Sequence, residues 1–211
     1  MGKAEISREK QPAIFKNPIL EKLTYTHPGV ITAFYIILAS AMLYQYWRIT
    51  GASIGVIAMW FGIGLFTWTF GEYILHRFLY HDIRDASYDK GIQYLFHGIH
   101  HKYPYDNRRI VLPILPSILI ASILFGVFYL IMGTLAWAFA PGFLIGYLLY
   151  MMIHLMVHSV PSPKKFNFWW RHHNIHHYQQ HDRAFGVSSP LWDIIFRTMP
   201  EPGRKTTVET N

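Results

Sequence analysis

Three long stretches of the chain carry no charged side chain, and they constrain the fold more than any other feature. They are residues 28–47, 49–71 and 110–163, and none of them contains Asp, Glu, Lys or Arg. A helix that crosses a bilayer needs roughly 20 consecutive apolar residues. The first two stretches each fit one crossing, and the "RITGAS" segment between them predicts a tight turn.

The third stretch is too long for a single crossing. Its 54 residues would form a straight helix about 80 Å long, at about 1.5 Å per residue. We therefore predict two crossings with a reversal near Gly133 or near Pro141–Gly142, and the sequence does not decide between them. The predicted crossings lie near residues 28–47, 53–77, 113–133 and 137–158.

The basic residues predict the orientation of these crossings. Four crossings place both termini on the same side of the membrane, together with every Lys and Arg except Arg48. The positive-inside rule makes that side cytoplasmic. The net charge of +7 is then explained by membrane topology, and it does not indicate a nucleic-acid partner.

This topology predicts three parts of the chain. Residues 1–27 form a cytosolic N-terminal segment, residues 28–200 a membrane domain, and residues 201–211 a flexible tail. The cytosolic cap of the membrane domain comprises residues 78–110 and 159–200. A bacterial inner membrane is the favoured location, and the endoplasmic reticulum is the expected one in a eukaryote.

Composition excludes several kinds of site. The chain has no cysteine, which rules out disulfides, thiolate metal sites and iron–sulfur clusters. Charged residues make up only 15% of it, against about 25% in typical soluble domains. The 13 histidines are the unusual feature.

Ten of these histidines fall into four short boxes at the predicted cytoplasmic boundary. The boxes are "HRFLYH", "HGIHH", "HLMVH" and "HNIHH", and they contain His76, His81, His97, His100, His101, His154, His158, His173, His176 and His177. His154 and His158 share a helix face because they are four residues apart. His76 and His81 are five apart, so we expect the helix to end or distort between them.

So many imidazoles in one place indicate a metal centre with two ions. One ion rarely takes more than six ligands, whereas two ions can share about ten nitrogens. Imidazole suits iron, copper, zinc and nickel, while magnesium and calcium prefer oxygen. The predicted fold class is therefore an all-α integral membrane protein with four transmembrane helices and a cytosolic helical cap that carries a histidine-rich di-metal site.

The remaining three histidines receive ordinary interpretations. His27 and His172 are interpreted as interfacial polar residues. His181 is interpreted as a surface residue, and a spare metal ligand or an electron-entry residue are its alternatives. Among the few carboxylates, Glu72 precedes His76 by one helical turn. It is a candidate to orient that histidine, since metal-bound imidazoles usually donate their other N–H group to an acceptor. Pairing with Arg77 is the alternative.

The four boxes together resemble the fatty acid hydroxylase/sterol desaturase superfamily of integral-membrane di-iron oxygenases. The local sequence is most similar to that of the fatty acid 2-hydroxylases. The similar segments are "GEYILHRFLYH", "YLFHGIHHKYPYDNRRIVLP", "HLMVH", "HHNIHHY" and "FGVSSPLWDIIFRT". These segments run from Gly71 to Thr198, about 60% of the chain. Each box alone is weak, but their order with the trailing "GVSSPLWD" is specific.

The resemblance implies a function and a ligand set. It implies that all ten box histidines bind two iron ions, which zinc can replace in a purified sample. The implied reaction uses O₂ to add a hydroxyl group at C2 of a long-chain fatty acid or a sphingolipid acyl chain. The implied electron donor is a separate protein, cytochrome b5-like or a ferredoxin, because these 211 residues contain no fused cytochrome b5 domain.

Weaker candidates and rival functions accompany this prediction. Asp182 is a second candidate to orient a metal ligand, and Lys102, Tyr105, Arg108 and Arg109 are candidates to contact a lipid headgroup. The nearest rival is a sterol, carotenoid or alkane oxygenase or desaturase of the same superfamily. A metal transporter and a b-type haem protein are rivals from other classes.

Overall fold

The computed structural model describes residues 5–6, 11–80, 93, 97–204 and 209–210. Within them the regular structure is helical, apart from a two-residue parallel pairing of β1 (Glu5–Ile6) with β2 (Glu209–Thr210). The helices are α1 (Pro18–Lys22), α2 (Pro28–Thr50), α3 (Ile54–Ile74), α4 (Ile99–Lys102), α5 (Ile114–Met132), α6 (Ala136–Ser159), α7 (Phe168–Tyr178) and α8 (Leu191–Ile195). Shorter turns are a π-helical turn at Leu75–Tyr80 and 3₁₀ turns at Asn107–Arg109 and Gly133–Leu135.

The chain folds into two compact units. The apolar unit comprises residues 14–69 and 111–152, and the histidine unit comprises residues 1–13, 70–110 and 153–211. The histidine unit contains all the box histidines that the structure describes.

Helix α2 begins and ends where its sequence directs. The ring Nδ1 of His27 accepts a hydrogen bond from the N–H of Gly29 at 3.1 Å, and Pro28 occupies the first turn. At the other end, Gly51 adopts φ 63° and donates its N–H to Trp47. Proline just inside the start and glycine just past the end are the usual limits of a helix. The predicted turn at "RITGAS" is confirmed, because α3 begins three residues after Gly51.

The long apolar stretch reverses at Gly133. Gly133 adopts φ 57° between α5 and α6. Phe128 precedes this residue and Phe143 follows it, and their rings lie 5.1 Å apart. In one unbroken helix they would be separated by about 22 Å. Of the two predicted positions, Gly133 is therefore the reversal, and Pro141 lies inside α6.

Two glycines allow α3 and α6 to approach closely within the apolar unit. A Cβ atom on Gly64 would overlap the backbone carbonyl of Phe139, and one on Gly142 would overlap the carbonyl of Phe61. Small residues at such crossings let helix backbones pack closely in membranes. The contact therefore depends on glycine at both positions.

Three stretches are long and apolar enough to cross a membrane, namely Pro28–Thr50, Ile54–Tyr80 and Asn107–Ser159. The third contains both α5 and α6, so a helix occupies each of the four segments that the sequence predicts as crossings. These lengths and compositions are those of an integral membrane protein.

The first box lies where α3 loses its regular geometry. The α-helix ends at Ile74 and continues as the π-helical turn that carries His76. Such turns occur frequently at functional sites. We expected the helix to end or distort between His76 and His81, and the π-helical turn over Leu75–Tyr80 confirms a distortion there. His81 itself lies outside the described residues.

The first residues of the predicted flexible tail are bonded to the histidine unit. The side-chain amide of Gln180 donates to the carbonyls of Glu201 and Arg204, at 2.8 Å each, and Arg204 pairs with Asp182 at 2.7 Å. Gln180 is only 2% exposed, and a buried amide needs hydrogen-bond partners. The tail supplies them.

The glycine contact generates a stability prediction. We expect Gly64→Ala to lower the melting temperature in detergent, because the added methyl group must force α3 away from α6. Overpacking of this kind costs about 1–3 kcal/mol. Gly62→Ala is the matched control, since a Cβ there meets no atom within 4 Å. Equal melting temperatures for the two variants would contradict the proposed contact.

Candidate metal centre

Nine of the histidines that the structure describes converge within the histidine unit from four parts of the chain. These parts are the π-helical turn, the α4 region, the last turns of α6, and α7. The histidines are His76, His97, His100, His101, His154, His158, His173, His176 and His177. Helical spacing explains part of this arrangement, because residues three and four apart lie on one face. Helix α7 thus presents three histidines from a single face.

The nine rings form two groups, each with ring nitrogens within 4.8 Å of one another. The five-histidine group consists of His100, His154, His158, His173 and His177. The four-histidine group consists of His76, His97, His101 and His176. Each group could hold one metal ion.

The spacing inside the four-histidine group suits a shared ion. The Nε2 atom of His97 lies 3.0 Å from Nε2 of His76 and 3.0 Å from Nε2 of His101. Two nitrogens bound at right angles to one ion, each at about 2.1 Å from it, are about 3.0 Å apart. The group therefore has the spacing of a ligand set.

The five-histidine group repeats this spacing. The Nε2 atom of His100 lies 2.9 Å from that of His154 and 3.1 Å from that of His158. His158 in turn lies 2.9 Å from His173, again between Nε2 atoms. A chain of close nitrogens runs through the group.

Backbone carbonyls fix the protonation pattern of two rings in the four-histidine group. The Nδ1–H of His76 donates to the carbonyl of Phe185 at 2.6 Å, and the Nδ1–H of His176 donates to the carbonyl of Arg183 at 2.7 Å. A carbonyl can only accept, so Nδ1 must carry the proton. In a neutral ring Nε2 then has a free lone pair, which is the form that binds metals.

Burial keeps other rings in the neutral form. It lowers the pKa of His100, His173 and His177 well below the ordinary value, and the neighbouring histidines lower it further. Within the part of the chain that the structure describes, neither ring nitrogen of His177 has a hydrogen-bond partner, and the side chain is 0% exposed. A buried nitrogen without a partner is costly, and a metal ion would satisfy it. The residues present therefore fit metal ions.

The carboxylates that the sequence singles out have other partners. Glu72 accepts hydrogen bonds from the backbone N–H and the hydroxyl of Ser188, the former at 2.7 Å. Asp182 pairs with Arg204 at 2.7 Å. Arg77, the alternative partner of Glu72, donates to the hydroxyl of Tyr73 at 2.7 Å.

The candidate headgroup residues are divided. Arg108 and Arg109 lie 2.8 and 3.5 Å from the carboxylate of Asp106, which is 5% exposed. Arg108 lowers the pKa of Asp106, chiefly through its side-chain hydrogen bond. Tyr105 is exposed and Lys102 is half-buried.

Two histidines outside the groups are more buried than their interpretations imply. His172 is 4% exposed, and its Nε2–H donates to Asp193 at 3.2 Å. The interfacial interpretation of His172 is therefore wrong, because α7 turns it inward. The ring of His181 lies 5.5 Å from that of His101, and burial lowers its pKa. It is not a simple surface residue.

Asp193 is a buried carboxylate beside the site that the sequence pattern did not single out. This carboxylate is 0% exposed and accepts from the N–H groups of Phe185 and Gly186 and from the hydroxyl of Thr198, at 3.0, 2.8 and 2.7 Å. A carboxylate inside the apolar segment "LWDII" is a usable signal, since Asp is almost never buried without partners. The two carbonyls that orient histidines leave no such signal.

Comparisons with known proteins agree with the geometry. The family model described as "Fatty acid hydroxylase" matches residues 61–198. The chain belongs to the fatty acid hydroxylase family. A solved structure of full-length scs7p, in which only the hydroxylase domain is visible, has a TM-score of 0.80 at 28% identity, over 92% of this chain and 74% of that one. The resemblance inferred from the histidine boxes is confirmed.

Relatives of this hydroxylase-family chain come from plants and animals. Dihydroceramide fatty acyl 2-hydroxylase FAH1 of Arabidopsis thaliana is 31% identical over 65% of this chain. Fatty acid 2-hydroxylase of Homo sapiens is 40% identical over 69% of this chain. The matched regions cover 59% and 41% of those two proteins.

The buried rings generate a pH prediction for the metal-free protein. Unfolded histidines titrate near pH 6.5, whereas burial lowers the pKa of His100, His173 and His177 in the fold. Below about pH 6.5 the unfolded chain therefore binds more protons, so stability falls on acidification, by up to about 1.4 kcal/mol per pH unit for each ring. Melting temperatures of chelator-treated protein between about pH 7.5 and 5.5 measure this effect.

A shallower pH slope is expected for His177→Gln, which removes one titrating ring and keeps a polar side chain. A melting temperature that does not change with pH would contradict the burial of neutral rings.

Proposed function

We propose that the protein is a membrane-bound, O₂-dependent hydroxylase that adds a hydroxyl group at C2 of a long-chain fatty acid or a sphingolipid acyl chain. The observation that carries the proposal is the pair of histidine groups in a chain of the fatty acid hydroxylase family. The names of the relatives support the substrate class, including the ceramide very long chain fatty acid hydroxylase of Saccharomyces cerevisiae.

The proposed cofactor is a pair of iron ions, one in each histidine group. The proposed ligands are the nine grouped histidines together with His81. Bound iron would supply the reduction of O₂ and the cleavage of the C2–H bond. Zinc could occupy the same nitrogens in a purified sample, because imidazole suits both metals.

The net reaction needs an outside source of electrons. One oxygen atom of O₂ is inserted into the C2–H bond, which becomes C2–OH, and the other oxygen atom leaves as water. This balance consumes two electrons and two protons. We assign their delivery to a separate electron donor, cytochrome b5-like or a ferredoxin.

The chain's own residues hold and orient the site. Burial keeps the imidazoles neutral, so their nitrogens are available at neutral pH. The carbonyls of Phe185 and Arg183 hold the rings of His76 and His176 with Nε2 inward. Low exposure of both groups limits the access of bulk water, which would otherwise compete for the ions.

The proposed topology has four crossings, with both termini in the cytosol. The supporting observations are the four long helices and the distribution of the basic residues. A bacterial inner membrane is the proposed location, or the endoplasmic reticulum in a eukaryote. Lys102, Tyr105, Arg108 and Arg109 are the proposed headgroup contacts, and Arg108 and Arg109 also pair with Asp106.

Expression in a host with a defined lipid content tests the reaction. We expect 2-hydroxy acyl chains in lipid extracts analysed by mass spectrometry. His176→Ala should reduce this product by at least about 100-fold, the upper end of what changes around metal ligands cost. His27→Asn is the control, because Asn can also cap a helix and His27 belongs to neither group.

The outcome of this experiment separates the rival functions. Hydroxylated sterols, carotenoids or alkanes without 2-hydroxy acyl chains would favour another oxygenase of the superfamily. Metal uptake without O₂ turnover would favour a transporter, and a Soret absorption band would favour a haem protein. Full activity of His176→Ala would contradict the ligand assignment.

Metal content provides an independent prediction. We expect the purified protein to bind about two transition-metal ions per chain, because each histidine group offers one ligand set. His158→Ala and His76→Ala should each remove about one ion, and the double variant should remove both. Elemental analysis measures the ratio, and a single ion lost in the double variant would contradict two separate sites.

A further inference from the structure

A short loop connects the four-histidine group to two buried carboxylates. This loop, Arg183–Ser188, is named here the carbonyl loop. Its carbonyls at Arg183 and Phe185 accept the Nδ1–H groups of His176 and His76. Both of these histidines belong to the four-histidine group.

Asp193 fixes the backbone of the carbonyl loop. Its Oδ1 accepts the N–H of Phe185 at 3.0 Å, and its Oδ2 accepts the N–H of Gly186 at 2.8 Å. The amide N–H and the carbonyl that bonds His76 belong to the same residue, Phe185. Asp193 is therefore connected to the His76 ring through a single residue, because it holds the N–H of Phe185 and the carbonyl of Phe185 holds the ring.

The loop backbone is shaped to admit this carboxylate. A Cβ atom on Gly186 would overlap the carbonyl of Ser189 and lie 3.0 Å from Oδ2 of Asp193. Glycine therefore permits the close approach of carboxylate and backbone. The glycine in the "FGVSS" segment has a structural reason.

The remaining lone pairs of Asp193 are also used. Thr198 donates its hydroxyl to Oδ1 at 2.7 Å, and His172 faces Oδ2 at 3.2 Å. An ionised carboxylate accepts about four hydrogen bonds, and here four donors surround it. A carboxamide would present its own N–H₂ group to some of these donors, so Asp cannot be replaced by Asn without loss.

Glu72 fixes the other end of the carbonyl loop. It is 3% exposed and bonds both the N–H and the hydroxyl of Ser188. The loop is thus held at Phe185 and Gly186 by one carboxylate and at Ser188 by another.

We propose that Asp193 is a positioning residue for the four-histidine group, which acts through the Phe185 carbonyl on His76, and that Glu72 assists it through Ser188. Partners of metal-binding imidazoles fix the ring and raise its basicity. The proposed consequence is selective. Loss of Asp193 lowers the affinity of the four-histidine group for its ion and leaves the affinity of the five-histidine group unchanged. The inference depends on the proposed metal binding.

Titration of the purified, metal-stripped full chain with Co²⁺ tests this proposal. The readouts are the number of ions bound, their affinities and the visible absorption spectrum. We expect Asp193→Asn to bind one ion with wild-type affinity and the other about 10- to 100-fold more weakly. Glu72→Gln should lower the affinity for the same ion by a smaller factor.

The matched control is Glu21→Gln. Glu21 also accepts two backbone N–H groups, those of Ile14 and Phe15 at 2.9 Å each, but it belongs to the apolar unit. We expect this variant to bind two ions as the wild type does.

Thr198→Val is the milder variant, because it keeps the Asp193 carboxylate and removes the hydroxyl that donates to it and that also bonds the Tyr73 hydroxyl at 3.0 Å. It should weaken binding of the same ion if Asp193→Asn does not fold.

Double variants identify which ion is affected. The His158→Ala variant lacks the five-histidine site. Adding Asp193→Asn to it should lower the affinity for the one remaining ion. Adding it to His76→Ala should leave the remaining ion unchanged. The opposite pattern would overturn the selectivity, because the loop would then act on the five-histidine group.

Two results overturn the proposal in different ways. If the wild type binds two ions and both Asp193→Asn and Thr198→Val keep both affinities and the spectrum, the positioning role is wrong and the proposed function stands. If the wild type binds no transition metal, the proposed function fails and this inference fails with it.

Discussion

The histidine unit depends on the need to satisfy nine imidazoles gathered with their ring nitrogens facing one another. Protonated rings at these distances would repel, and burial further penalises the charged form, so the rings must be neutral. Neutral rings then place lone pairs face to face, and among the residues that the structure describes neither ring nitrogen of His177 finds a hydrogen-bond partner. A cation in each group would meet both requirements, and bound metal ions would then be structural as well as chemical components of the unit.

Helices and irregular backbone contribute differently to this arrangement. Helices α6 and α7, and the α4 region together with His97, bring several rings to one face because histidines there are spaced three or four residues apart. The opposite nitrogens of His76 and His176 need acceptors, and these come from backbone carbonyls in the loop before α8. Regular helices cannot supply such acceptors in mid-helix, since their carbonyls are already bonded along the helix.

Much of the fold could be predicted because membrane helices depend on local properties. Charge-free stretches of sufficient length predicted the positions of α2, α3, α5 and α6, and the length of the third stretch required a reversal. The sequence could not choose between Gly133 and Pro141, because either residue can interrupt a helix. The choice follows from packing, since Phe128 meets Phe143 only if the chain turns at Gly133.

The sequence by itself determined the apolar helices, the four histidine boxes and membership of the family, because hydropathy, spacing and motif order are properties of chain neighbours. Only the tertiary structure decided the division into groups of five and four, and the choice of Asp193 as the carboxylate that holds the carbonyl loop. His76 and Phe185 are separated by 109 positions, and a backbone carbonyl has no residue identity to read. Such contacts form between distant segments when they pack, so no local pattern encodes them.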